Sequence, residues 1–138
     1  MRRIFALLLL LALCIPAMAT DLPDMTGNWS GVMDVVGYDK NIAWLPNETV
    51  SFWPGEEYTL TISEQQGRAF SGTMVPSLSP KTVQVVLGVL CSENESITMV
   101  DENAYWWGDV ISPTEIELNY QKVNMEGMVV GGGIFKKV

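Results

Sequence analysis

Beyond the first twenty positions, apolar residues recur at every second place rather than every third or fourth. Residues 57–63 show this most cleanly: Tyr58, Leu60 and Ile62 fall on one side, Thr59, Thr61 and Ser63 on the other. Period-two alternation is the mark of a half-buried strand. The pattern repeats along the chain and predicts eight strands, at residues 28–38, 57–63, 68–75, 82–91, 96–100, 104–111, 115–123 and 127–137. Between them lie short turn-forming clusters such as Gln65-Gln66-Gly67, Asp101-Glu102-Asn103 and Ser112-Pro113-Thr114. In the first strand Trp29, Met33 and Val35 share a side. In the seventh, Ile116, Leu118 and Tyr120 alternate with Glu117 and Asn119. Residues 82–91 are almost wholly apolar, which predicts cover on both faces.

Eight strands with hairpin-length links suit an up-and-down antiparallel barrel. Closure removes exposed edges, and an even count lets first and last strands pair antiparallel. A β-sandwich is the alternative fold. One connection breaks the rule of short polar links: residues 39–55 hold Ile42, Trp44, Leu45, Phe52 and Trp53 together with Pro46 and Pro54. Leaving Trp44, Phe52 and Trp53 in water would forgo about 1.5–3 kcal/mol each. They are therefore expected to be shielded, by the barrel mouth or by a partner.

The first twenty positions follow another pattern. Met1-Arg2-Arg3 is basic, residues 4–15 are apolar, and Ala17-Met18-Ala19 has the small-x-small form of a peptidase site. This reads as a cleaved signal peptide over residues 1–19, leaving one domain over 20–138 and a secreted or cell-surface product with no membrane span. An uncleaved anchor and a lipidated Cys14 are the alternatives. Cleavage would remove Arg2 and Arg3, leaving six bases against sixteen acids and a formal charge of −10. So acidic a chain repels nucleic acid. Cys91 is then alone, and its apolar neighbours favour a buried thiol. There is no histidine, which excludes Ser-His-Asp and Cys-His catalysis and histidine-ligated metals. No cofactor is implied.

Gly27-Asn28-Trp29, the long link after the first strand and the closing Phe135-Lys136-Lys137-Val138 resemble the calycin group of lipocalins, fatty-acid-binding proteins and avidins. The resemblance implies that Trp29 lies in the barrel floor against a closing basic residue, Lys136 or Lys137. A cation over an indole face is attractive, and a lysine stem covers apolar surface. The positions by which avidins hold biotin have no match here, so that ligand is not carried over. The hairpin at Gln65-Gln66-Gly67-Arg68 is also similar to one in small archaeal secreted proteins of uncharacterised activity.

Carboxylates are the only abundant catalytic type. Glu115 and Glu117 share a strand face with Asn119 and Gln121, which makes it the wet side rather than an acid/base cleft. Asp101-Glu102-Asn103 lacks calcium-loop spacing and reads as a turn. Gly131-Gly132-Gly133 has no following Lys-Ser/Thr, so it reads as a place where strands approach closely. In the sixth strand, Tyr105, Trp107, Asp109 and Ile111 are placed inward and Trp106 outward. These assignments yield a non-enzymatic barrel whose ligand, a small apolar or aromatic molecule, would contact Tyr58, Phe70, Trp107 and Tyr120, with Trp44 and Trp53 from the long link. The second reading is a protein-interaction module that uses Trp44, Phe52, Trp53 and Trp106 as exposed anchors. An apolar cavity of about 300 Å³ or more would favour the ligand; a filled interior would favour the partner. Asn47 and Asn94 are candidate glycosylation sites; Asn28 also heads a sequon but sits beside the floor.

Overall fold

A computed structural model describes residues 22–39, 49–77, 79–91, 95–124 and 127–138. The strands are β1 (Gly27–Asp39), β2 (Thr49–Gln66), β3 (Ala69–Pro76), β4 (Gln84–Cys91), β5 (Ser96–Val100), β6 (Tyr105–Ser112), β7 (Glu115–Val123) and β8 (Gly127–Lys137). Each pairs antiparallel with the next, and β8 returns to β1 over the rungs from Trp29↔Lys137 to Asp39↔Gly127. The protein is a closed eight-stranded up-and-down barrel, not a sandwich. Among the described residues no helix is long and apolar enough to cross a membrane.

The alternation sets the core. Trp29, Met33, Leu60, Met74, Leu118 and Phe135 are among the inward side chains withdrawn from solvent. These side chains interdigitate across the barrel and pack its interior. The ends of the barrel differ. The floor carries the start of β1, the β2–β3, β4–β5 and β6–β7 turns and the end of β8. The mouth carries the β1–β2, β3–β4, β5–β6 and β7–β8 connections.

Four expectations are corrected. First, β2 begins at Thr49, so Phe52 and Trp53 belong to a strand and not to a link reaching residue 55. Pro54-Gly55 looked like a turn because it fills a bulge. The rungs step from Val35↔Trp53 to Met33↔Glu56, Gly55 takes φ 73°, and its N–H donates to Asp34 Oδ1 at 3.0 Å. A bulge admits a proline and a left-handed glycine that a regular ladder would not. Phe52 points outward and is 74% exposed rather than shielded.

Second, β6 has the opposite phase. Trp106 is inward and 2% exposed, whereas Tyr105 and Ile111 face solvent and Trp107 stacks on Tyr105 outside, at 5.8 Å between ring centroids. The reason is Asp109. Placing Trp107 inward would bury its carboxylate, which costs several kcal/mol unless paired; the observed phase puts Gly108 inward. Ile111 follows the same outward phase, at a register shift between Val110 and Ser112. Third, β4 is covered on one face only, with Val85, Leu87 and Val89 exposed. Fourth, the Cys91 thiol is half-buried near the Thr98 hydroxyl, 3.6 Å away, and is not a core residue.

Candidate functional site

The floor is sealed. Trp29 is wholly buried, and its Nε1 donates to the Met25 carbonyl at 2.9 Å. Lys137 pairs across from Trp29, with Nζ 5.3 Å from the indole centroid and donating to the Asp24 carbonyl at 2.9 Å. Of the two closing lysines, Lys137 is therefore the floor residue. Lys136 points outward to Glu115, 3.6 Å away. Gln65 fastens residues 23–25 across the floor: its Oε1 accepts the Met25 N–H at 2.7 Å and its Nε2 donates to the Pro23 carbonyl at 3.0 Å. Asp24 is held below the usual carboxylate range chiefly by its hydrogen bonds to the Thr26 hydroxyl and amide, helped by Lys137.

The mouth is built from aromatic residues tied to carboxylates. Tyr58, Trp106 and Tyr120 point inward from β2, β6 and β7. Trp106 stacks on Tyr120 with centroids 4.6 Å apart and meets Tyr58 edge-on at 6.4 Å. Gly131 leaves room for this stack, since a Cβ there would lie 2.6 Å from the Tyr120 ring. The polar edge of each ring is satisfied. Trp106 Nε1 donates to Asp101 Oδ2 at 2.7 Å, and Asp101 Oδ1 accepts the N–H groups of Asn103 and Ala104 at 2.7 and 2.8 Å. The Tyr58 hydroxyl donates to Glu56 Oε2 at 3.0 Å and lies within hydrogen-bond reach of Tyr120. Burial raises the pKa of both phenols, and the carboxylate of Glu56 adds to the shift in each. Asp101 thus serves the turn and the indole.

Above this platform lies a pocket of about 220 Å³ between Tyr58, Tyr120, Ala104, Val129, Gln84 and Lys122. Asp101 and Asn103 reach its wall. Of the residues expected to line a ligand cavity, Tyr58 and Tyr120 meet here. Trp53 lies at the same end, 36% exposed, its ring against Gly37. Phe70 is at the floor end, buried against Gly88, and takes no part. Trp107 is outside. Trp44, Asn47 and Asn94 lie outside the described residues. Asn28 is exposed, its Oδ1 accepting from the Thr61 hydroxyl at 2.9 Å. Trp106, expected outside as an anchor, is instead the centre of the platform, and Asp109 is the signal in the sequence that sets its phase.

The outer wall near the mouth is apolar. One row of rungs joins Leu87, Val100, Tyr105, Gln121, Val130, Val36 and Phe52, each within three residues of its strand's mouth end. The next row joins Val123, Met128, Tyr38 and Val50. Between the rows on β7, β8, β1 and β2 is an open groove of about 370 Å³. Nearer the floor, the outer positions are mixed: Thr59, Thr61, Glu117 and Lys136 alternate with exposed Val32, Val89, Ile111 and Ile134.

Fold and site define a closed antiparallel barrel with a sealed floor and a polar-edged aromatic pocket at its mouth. No protein-family model matches the chain, and no curated protein does either; the archaeal likeness of the Gln65–Arg68 hairpin has nothing behind it. Solved structures similar to the chain include two barrels. The structure of EF1p2_mFAP2b bound to DFHBI is 10% identical with a TM-score of 0.47. A de novo designed fluorescence-activating beta barrel is 17% identical with a TM-score of 0.40. Each alignment covers 82% of this chain and 93% of the other. The architecture described above rests on this chain's own strand pairing.

Proposed function

We propose that the chain is a secreted, non-enzymatic binding barrel that takes a small ring-sized molecule at its mouth. The observation that carries this reading is the pocket over Tyr58, Trp106 and Tyr120. Its base is rigid and aromatic, its rim has hydrogen-bonding groups at Gln84, Asn103 and Lys122, and the packed interior below stops a ligand from going deeper. At about 220 Å³ it falls below the usual range for drug-sized ligands, roughly 300–1,000 Å³, so a long fatty chain does not fit. The carboxylates nearest the pocket are already engaged by donors, and neither is paired with a second carboxylate as acid/base hydrolysis needs. The test is a titration of the mature protein with single-ring compounds, followed by tryptophan emission in wild type and in Tyr120→Ala. Saturable quenching lost in the variant supports the reading. Unchanged emission across the panel refutes it.

A specific observation keeps the interaction reading as the second one. The interior is filled by buried side chains such as Trp29, Met33, Leu60 and Phe135, while Val123, 71% exposed, lines an apolar groove on the outer wall and Phe52, 74% exposed, stands beside Val36 of that groove. Contiguous apolar surface of this kind marks interaction sites. Replacing Phe52, Met128 and Val130 with serine should abolish cross-links from the native exported protein to its neighbours without altering ring binding at the mouth.

A further inference from the structure

The mouth pocket has one cation among its lining residues, and among the described residues that cation has no counter-ion. Lys122 continues the inward phase of Ile116, Leu118 and Tyr120 along β7 and faces the pocket beside Val129, its rung partner on β8. The ion pairs among the described residues, Lys136 with Glu115 and Lys137 with Asp24, lie elsewhere, and no described carboxylate stands within ion-pair distance of the Lys122 ammonium. The acidic groups nearby are committed. Asp101 accepts three N–H donors at 2.7–2.8 Å, and Glu56 accepts the Tyr58 hydroxyl. On the same wall, Gln84 and Asn103 offer side-chain amides, which donate as readily as they accept. A half-buried lysine that lines this pocket beside two neutral amides, with the Asp101 carboxylate on the same wall already taken up by three N–H donors, can receive a negative group from outside the chain.

We propose that Lys122 holds the anionic end of the ligand, a ring-sized carboxylate whose apolar part rests on Val129, Ala104 and the Tyr58–Tyr120 platform. This rests on the mouth-binding reading above and assigns the charge of what binds there. The ammonium supplies a point charge and donors, and the amides of Gln84 and Asn103 complete the shell around the carboxylate. The apolar wall accepts the ring, so a carboxylate without a ring lacks half the contacts and a ring without a charge lacks the other half.

Three probes of nearly equal size separate the outcomes: benzoate, benzamide and benzylamine, each titrated into mature protein while the Trp106 indole N–H is followed by NMR. Benzoate should bind tightest. Lys122→Met should weaken benzoate about tenfold or more, the range for a hydrogen bond to a charged group, and leave benzamide little changed. Lys122→Gln guards against an effect peculiar to methionine, and Lys122→Arg should restore most of the preference. Benzamide binding as tightly as benzoate, or a benzoate preference that survives both neutral variants, overturns the role of Lys122 and leaves the mouth-binding reading standing. If no probe moves the Trp106 signal, the mouth-binding reading fails and this inference with it.

Discussion

The two ends of this barrel use the same ingredients, an indole and a lysine, in opposite ways. At the floor, Lys137 lies over Trp29 and is tied to the chain by the Asp24 carbonyl, so the charge is spent on closing the barrel. At the mouth, Trp106 is tied to Asp101, and Lys122 lines the same pocket with no ion pair among the described residues. A cation that completes a seal is a structural part; a cation that faces a pocket outside any ion pair is an invitation. Burial alone does not separate the two indoles, since both are withdrawn from water. What their neighbours' charges are bonded to does.

The contrast can be broken by substitution. Trp29→Ala should cost about 3–5 kcal/mol, as for a large core aromatic, read as a fall in the urea midpoint. A near-wild-type midpoint would mean that the floor is not the keystone. Trp106→Phe keeps an aromatic ring but removes the hydrogen bond to Asp101, for about 1.5–3 kcal/mol. Circular dichroism should still show an intact barrel. The phenols give a pH signature at the mouth. Their folded pKa values are raised above the unfolded value of roughly 10. Their contribution is therefore fully present below about pH 10 and is lost as pH rises above it. Urea midpoints measured from about pH 8 to 12 should fall above roughly pH 10 in wild type and fall less in Tyr58→Phe/Tyr120→Phe. Smallest of all, Lys137→Met keeps most of the stem over Trp29 and loses the charge together with the exposed hydrogen bond to the Asp24 carbonyl, for about 0.5–1.5 kcal/mol. A larger loss than for Trp106→Phe would reverse the ranking of the two ends.

The sequence made the barrel legible because alternation and hairpin spacing carry both strand number and order. Strands β7 and β8 run over the very residues that the pattern marked. It also made the floor legible through Trp29 and the closing lysines, though choosing Lys137 over Lys136 needed the register. The mouth was half legible. Tyr58 and Tyr120 sit in clean alternation, and Lys122 continues the same phase. Trp106 is hard to place because two adjacent tryptophans offer both phases equally, and only the charge of Asp109 on the face of Trp107 decides between them. The start of β2 was hidden because Pro54-Gly55 signals a turn in any local reading, and only the partner strand shows that the two residues occupy a bulge. Phe52 and the outer face of β4 were misread for one reason. Apolar side chains were assumed to find cover, and nothing local reveals that a barrel wall will leave them bare.

The seam between β1 and β8 makes folding a late event for the chain as a whole. Its rungs join Trp29 to Lys137 and Asp39 to Gly127, so no part of it can form until almost every residue of the domain is available. The hairpins from β2 to β8 can assemble as each emerges, but the partial sheet has two open edges until the seam zips. Non-local pairing of this kind places folding in the millisecond-to-second range rather than the microsecond range. For a chain exported unfolded, as the proposed secretion would have it, such a delay is useful, because the barrel cannot lock before its last strand arrives. It also fixes the moment of greatest risk: a molecule halted just short of closure presents free edges that template aggregation.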